Sequence, residues 1–179
     1  MRLFIAIDLS EEAKECIEKL KQGLKGIKGV KPVAKENIHL TMKFLGEVAD
    51  DKAEDIARAL SQIKFQPFNI SISKTGAFPN ESRISVLWVD ASPAAPLFEL
   101  KKQIDAALPS FKDDHPFKSH ITFARVKYIA NDSDKKKIHD LLRQPVEKAE
   151  FLVDKFRLYK STLTPEGPVY EVVKERFSA

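Results

Sequence analysis

Apolar positions along this chain recur in two rhythms, one with period two and one with helical spacing, and they alternate in a fixed order. Residues 2–8 (RLFIAID) read as a short buried strand. Ser10 is placed to cap a following helix whose first turn carries Glu11 and Glu12. That helix has the apolar stripe Ala13, Ile17, Leu20, Leu24 and Ile27. Residues 37–45 (NIHLTMKFL) alternate like a strand that Gly46 breaks. Asp50 then opens a second helix with the stripe Ala53, Ile56, Ala57, Leu60 and Ile63. Residues 67–74 (PFNISISK) predict another strand, with Gly76 and Pro79 marking a turn beyond it.

The same order then returns. Residues 84–90 (ISVLWVD) match LFIAID, and Pro93 suits the start of a helix with the stripe Leu97, Leu100, Ile104, Ala107 and Leu108. Residues 119–126 (SHITFARV) match IHLTMKFL. A helix follows from Asn131 to Arg143, then strands over 149–160 and 168–176. Strand–helix–strand–helix–strand thus appears twice, with equivalent positions about eighty residues apart. This predicts one duplicated α+β domain over 1–179, with pseudo-repeats at about 1–82 and 83–179. Two sheet-bearing lobes would face a shared cleft, with helices outside.

The centre of each half carries the same tetrad. His39-Leu40-Thr41-Met42 recurs as His120-Ile121-Thr122-Phe123. On a strand His39 and Thr41 point one way while Leu40 and Met42 point into the core, and the second tetrad does the same. The chain has four histidines and five threonines, so two histidines carrying Thr at the second position after them arise by chance in about half a per cent of cases. Paired histidines suit the opening of a cyclic phosphodiester. One activates water and the other protonates the departing oxygen, neither needing a metal. The threonine hydroxyls can donate to the non-bridging oxygens, where charge builds.

Composition changes this picture little. Net charge is +4 and the pI is about 9.0, which suits a polyanion without requiring one. The single cysteine, Cys16, lies on an apolar helical stripe, excludes an intrachain disulfide and argues for a reducing, cytoplasmic setting. No apolar run, the opening MRLFIAIDLSEE included, is long enough for a signal peptide or a membrane span. The chain has no P-loop and no Gly-rich dinucleotide fingerprint, so an ATP-dependent ligase finds no support and no cofactor is expected. Asp113, Asp114 and His115 look like metal ligands, but no further spacing supports a site and Pro116 follows, so they read as loop. His139 reads as a solvated helix residue.

The tetrads HLTM and HITF resemble the HxTx motifs of the two-histidine (2H) phosphoesterase superfamily. The segments HLTMKFLGEV, GAFP, VLWV, SHITFARV and STLTPEGPVYEVV resemble its LigT-like branch, the RNA 2′,3′-cyclic phosphodiesterases often labelled 2′-5′ RNA ligases. The resemblance runs from Arg2 to about Phe177. It implies a duplicated bilobal fold, two antiparallel-sheet lobes around a central cleft, and metal-free hydrolysis of a terminal cyclic phosphate to a 2′-phosphate. By position it makes His39 the proton donor and His120 the proton acceptor. It also implies an RNA partner with a cyclic-phosphate end, such as a tRNA fragment, or a cyclic-phosphate nucleotide.

Around the tetrads, regular strands put Lys43 and Lys118 on the cleft face, where they would attract phosphate. Arg125, five after His120, turns away on a regular strand and joins the site only if the strand is irregular. Phe78, in its expected turn, is the better stacking face for a base, and Phe44 the better core residue. Two other functions use the same residues: an ATP-independent 2′-5′ RNA ligase and a non-catalytic RNA-end binding module. A monomer is expected, because one chain already supplies both motifs.

Overall fold

The chain folds, in a computed structural model that describes residues 1–178, as α+β with antiparallel sheets. Among the described residues the strands are β1 (Arg2–Asp8), β2 (Val30–Pro32), β3 (His39–Glu47), β4 (Phe68–Ile72), β5 (Thr75–Asn80), β6 (Arg83–Asp90), β7 (His120–Val126), β8 (Ala149–Val153), β9 (Lys155–Leu163) and β10 (Pro168–Phe177). The helices are α1 (Glu11–Lys21), α2 (Ala53–Ser61), α3 (Ala94–Ala107) and α4 (Asp132–Arg143). Ser10 caps α1 by accepting from the Ala13 N–H, and Asn131 caps α4 by accepting from the Asp134 N–H. Each such cap stabilises its helix by about 1 kcal/mol.

Two stretches differ from the sequence expectation. Residues 149–160 are two strands, not one. The buried positions move from odd numbers (Phe151, Val153) to even ones (Phe156, Leu158) across Asp154, where the chain leaves β4 for β1 as its partner. Residues 75–80 are a strand rather than a turn. Gly76 faces Trp88 across β5 and β6, and a Cβ at Gly76 would overlap the indole ring. Pro79 is tolerated because β5 is an edge strand.

The strands form two four-stranded sheets, in the orders β10-β9-β1-β3 and β2-β7-β6-β5, and the two-stranded β4-β8. Every one of these sheets draws strands from both sides of residue 82. The late strand β9 completes the sheet of β1 and β3, and the early strand β5 completes that of β6 and β7. The rows across the two large sheets correspond. Tyr159, Phe4 and Phe44 align in one as Phe78, Val86 and Arg125 do in the other. Arg157, Ala6 and Thr41 correspond in the same way to Gly76, Trp88 and Thr122, and Asp8 opposite His39 to Asp90 opposite His120.

Both motif strands carry an extra residue at the same place. Ile5 and Ala6 pair with Lys43 and Thr41, leaving Met42 unpaired. Leu87 and Trp88 pair with Ala124 and Thr122, leaving Phe123 unpaired. These are β-bulges, and each reverses the alternation beyond it. Met42 and Lys43 are therefore both buried, as are Phe123 and Ala124. Phe44 and Arg125 emerge on the face of the histidines and threonines.

One core lies on the opposite faces of the sheets. Leu3, Ile5, Ile7, Leu40, Leu87, Val89 and Ile121 pack there against the stripes of all four helices. On the open face of the first sheet, Phe4, Ala6 and Tyr159 form a separate small cluster with Tyr170. The sheets meet where β3, the strand of one tetrad, packs against β7, the strand of the other.

Gly76→Ala should lower stability by about 1–3 kcal/mol, because overpacking against a fixed indole has no free volume to relax into. Denaturant unfolding followed by Trp88 fluorescence checks this, and an unchanged midpoint would show that the indole is not pinned over Gly76.

Candidate active site

Each histidine opens its strand, and the backbone just before it fixes the ring. His39 Nδ1 lies 2.7 Å from the Asn37 carbonyl oxygen. His120 Nδ1 lies 2.7 Å from the Lys118 carbonyl oxygen. A carbonyl only accepts, so Nδ1 carries the proton in both neutral rings and Nε2 is left free to take or give one. Neither ring rests on a carboxylate. Asp8, opposite His39, is held by Arg157 and by the Tyr159 hydroxyl at 2.5 Å. Asp90, opposite His120, accepts from the N–H groups of Ser73 and Lys74 at 2.8 and 2.9 Å and from the Ser92 hydroxyl at 2.9 Å.

Aromatic rings set the tilt of each imidazole. The His39 ring lies 4.9 Å from Phe4 and meets Tyr170 edge-on at 5.4 Å. His120 meets Phe78 edge-on at 4.9 Å and Trp88 at 6.4 Å. Tyr170 is in turn placed by the Asn37 side chain, whose amide donates to the Pro168 carbonyl at 2.8 Å at the start of β10. Asn37 thus holds both the ring of His39 and the strand that covers it.

Burial pushes both histidines below their ordinary pKa, since a half-buried imidazolium loses water. The carbonyl bonds to Asn37 and Lys118 work against this by favouring the charged rings. The remaining charges differ. The Asp8 carboxylate favours protonated His39, whereas the Lys118 ammonium disfavours protonated His120. Arg125 acts on both rings and on Tyr170, lowering all three. The strands of the two histidines, β3 and β7, pack against each other. Burial, reinforced by the bond to Asp8, pushes Tyr159 up to about 12, so it stays a neutral donor to Asp8.

The residues expected around the motifs fare differently. Thr41 and Thr122 share the face of their histidines and are half-buried. Arg125 is in the site, because the bulge at Phe123 reverses its direction, and it has no ion pair among the described residues. Phe44 is 62% exposed on the same face, not in the core, by the equivalent bulge at Met42. Lys43 is not in the cleft. The same bulge turns it inward, where it is 3% exposed and its ammonium lies 2.7 Å from Asp105 and 2.9 Å from Asp113.

Lys118 stands beside the site, with its carbonyl on His120 and its ammonium 5.0 Å from the centre of the Phe78 ring. Phe78 is not in a turn. Its ring is packed between that ammonium, Trp88 and His120, which makes it a support for the histidine rather than an open stacking face. Cys16 is buried, and burial pushes its thiol up. His115 is an exposed loop residue, and His139 lies 3.7 Å from Glu81.

The sequence pattern left Phe4, Trp88, Tyr170 and Asn37 unassigned. Phe4 and Trp88 carry a readable signal, being on strands that match each other. Tyr170 carries none, because it comes to His39 from far along the chain, and the Asn37 carbonyl, only two residues before the ring, carries none because every residue supplies a carbonyl. A cavity of about 240 Å³ opens beside His39, lined among others by Phe4, Asp8, Glu36, Asn37, Tyr159 and Tyr170. Among the described residues, no group of three or more His, Cys, Asp or Glu side chains is placed to hold a metal ion, and no helix is long and apolar enough to cross a membrane.

The sequence pattern of the LigT like Phosphoesterase family matches the chain twice, at residues 7–88 and 89–170. The RNA 2′,3′-cyclic phosphodiesterase of Methanocaldococcus jannaschii is 44% identical over 179 residues, covering 98% of this chain and 99% of its own. The protein of the same name from Archaeoglobus fulgidus is 37% identical, covering 96% and 97%. The crystal structure of E. coli LigT complexed with 3′-AMP superposes with a TM-score of 0.82 at 25% identity, over 99% of this chain and 98% of that one.

If Arg125 is shared by both rings, Arg125→Ala should raise the titration midpoints of His39 and His120 together, followed by imidazole NMR signals. Movement of one ring alone would place the guanidinium with that ring only.

Proposed function

The chain belongs to the LigT-like phosphoesterases, and we propose that it hydrolyses the 2′,3′-cyclic phosphate at the end of an RNA to a 2′-phosphate. One observation carries this reading: two imidazoles held alike by backbone carbonyls through Nδ1, leaving Nε2 for chemistry, on strands that pack against each other. The names of the relatives, RNA 2′,3′-cyclic phosphodiesterases at 37–44% identity along nearly the whole chain, support it.

In the proposed reaction His120 Nε2 takes a proton from water as the water oxygen bonds to phosphorus. The bond from phosphorus to the 3′ oxygen breaks, and that oxygen takes the proton of His39 Nε2. Attacking and leaving oxygens lie roughly in line, so an acid and a base on opposite sides of the phosphorus are what the reaction needs. Each is worth about 10²–10⁴ in rate. The local charges favour this division of roles: Asp8 helps His39 keep its proton, and Lys118 helps His120 stay neutral. Arg125 and the hydroxyls of Thr41 and Thr122 stabilise the charge on the non-bridging oxygens.

The ribose that carries the leaving oxygen then lies on the His39 side. The cavity there has aromatic walls and no free cation, which suits a neutral nucleoside. The substrate is an RNA ending in the cyclic phosphate, a tRNA fragment for instance, or a nucleotide bearing the same group. The pseudo-repeats at 1–82 and 83–179 act as one catalytic unit, since each large sheet is completed by a strand of the other half. The protein acts as a monomer, without cofactor, in the cytoplasm.

A short RNA with a 2′,3′-cyclic phosphate end, incubated in EDTA, should give a 2′-phosphate. His39→Ala and His120→Ala should each lower kcat/KM by about 10²–10⁴. Joined products from cyclic-phosphate and 5′-hydroxyl ends, with no hydrolysis, would overturn the reading in favour of ligation.

The pH dependence has a definite sign. Rate rises as His120 loses its proton and falls as His39 loses its own. Burial lowers both pKa values, so kcat/KM should be bell-shaped with its optimum on the acid side of neutrality. A rate still rising through pH 8 would exclude this pair as acid and base.

A further inference from the structure

Beneath the site, two lysines are almost out of water. Lys43 is 3% exposed and Lys101 is 4% exposed. Both reach the same two carboxylate oxygens. Lys43 Nζ lies 2.7 Å from Asp105 Oδ1 and 2.9 Å from Asp113 Oδ2, and Lys101 bonds the same atoms. Two cations and two anions thus close a neutral cluster. The carboxylates stay partly open to water, at 42% and 30% exposure, so desolvation falls on the two lysine ammoniums, and such a cluster is a weak source of stability. Its best-attested use is to fix register.

What it registers follows from where its members stand. Lys43 is on β3, four residues after His39, turned inward by the bulge at Met42. Lys101 and Asp105 lie one turn apart on α3. Asp113 is in the segment that leads from α3 to β7 and ends on Lys118 and His120. Within that segment, residues 112–117 make no backbone-to-backbone hydrogen bond among the described residues. It is tethered by Asp113 on the two lysines and by Phe117, edge-on to Phe98 of α3 at 5.2 Å. The strand of one histidine therefore grips the segment that delivers the other.

We infer that the Lys43–Asp113 contact, with Lys101 and Asp105, is a positioning device that sets His120 relative to His39. None of the four touches the open face of the sheets, so none is a catalytic residue. They act through the Lys118 carbonyl, which holds His120 Nδ1, and Lys118 lies five residues from Asp113. The inference rests on the two-histidine reading for its effect on rate, but its effect on the His120 ring is independent of any substrate.

The test uses Asp113→Asn, Lys43→Met and Asp113→Glu in the full chain. His39 and His120 are titrated by imidazole NMR, beside kcat, KM and thermal unfolding. The charges around His120, Lys118 and Arg125, are unchanged in all three variants.

With the segment loosened, both the carbonyl bond and the burial that set the protonation of His120 change. Its midpoint should move while that of His39 stays. kcat should drop about 10–100-fold, as expected of misplacement on the ångström scale, with KM within about threefold. Asp113→Glu should recover most of the rate. Lys43→Met removes the strand's half of the contact without touching the segment and should reproduce the His120 shift.

Lowered thermal stability with the His120 titration and kcat unchanged in the folded protein would overturn the inference and leave the cluster a structural one. A wild-type protein that turns over no cyclic phosphate would refute the functional reading, while the His120 titration would still decide the positioning role.

Discussion

One extra residue in each motif strand governs the rest of the site. The bulges at Met42 and Phe123 follow their threonines at the same spacing. They keep His and Thr on the open face and bring the fifth residue after each histidine onto it as well. On one side that residue is Arg125, on the other Phe44. The residue between is turned inward: Ala124 simply joins the core, and the Lys43 ammonium, out of water, pairs with Asp105 and Asp113. Without the bulges the open face would hold Lys43 in place of Phe44 and would lack the guanidinium that acts on both histidines.

The two halves share a plan and differ where their chemistry must differ. In matching rows, Ala6 and Arg157 stand on one side and Trp88 and Gly76 on the other. The large residue stands on the neighbouring strand in the second sheet. On the His39 side this leaves room for Arg157 to lock Asp8 beside the ring. On the His120 side it sets an indole and Phe78 against the ring, with Lys118 above. Symmetric backbones thus set unlike charges beside the two histidines, Asp8 by one and Lys118 by the other.

The strand exchange between the halves has a mechanical consequence. Because β9 pairs with β1 and β5 with β6, neither large sheet is complete without the other half. The histidines are placed by hydrogen-bonded sheets on both sides of the cleft and by the β3–β7 contact between them. Loosely tethered lobes would not hold the two histidine strands at a fixed separation.

Periodicity in the sequence determined nearly all the elements, the α+β class and the shared face of each His-Thr pair, because these follow from local alternation and from the composition of single strands. Its failures are of one kind. It made 75–80 a turn, since Gly and Pro ordinarily break strands, whereas Gly76 is there to accept the Trp88 ring. It ran 149–160 as one strand, through the reversal of buried parity at Asp154 where the chain changes partner from β4 to β1. It placed Lys43 in the cleft and Phe44 in the core by counting twos through a bulge. Strand pairing decides where alternation slips, and pairing depends on residues far away in the chain. The same holds for Tyr170 on His39 and Asp113 on Lys43: each contact joins segments separated by at least seventy residues, so no local pattern encodes it, and only the folded sheets bring it about.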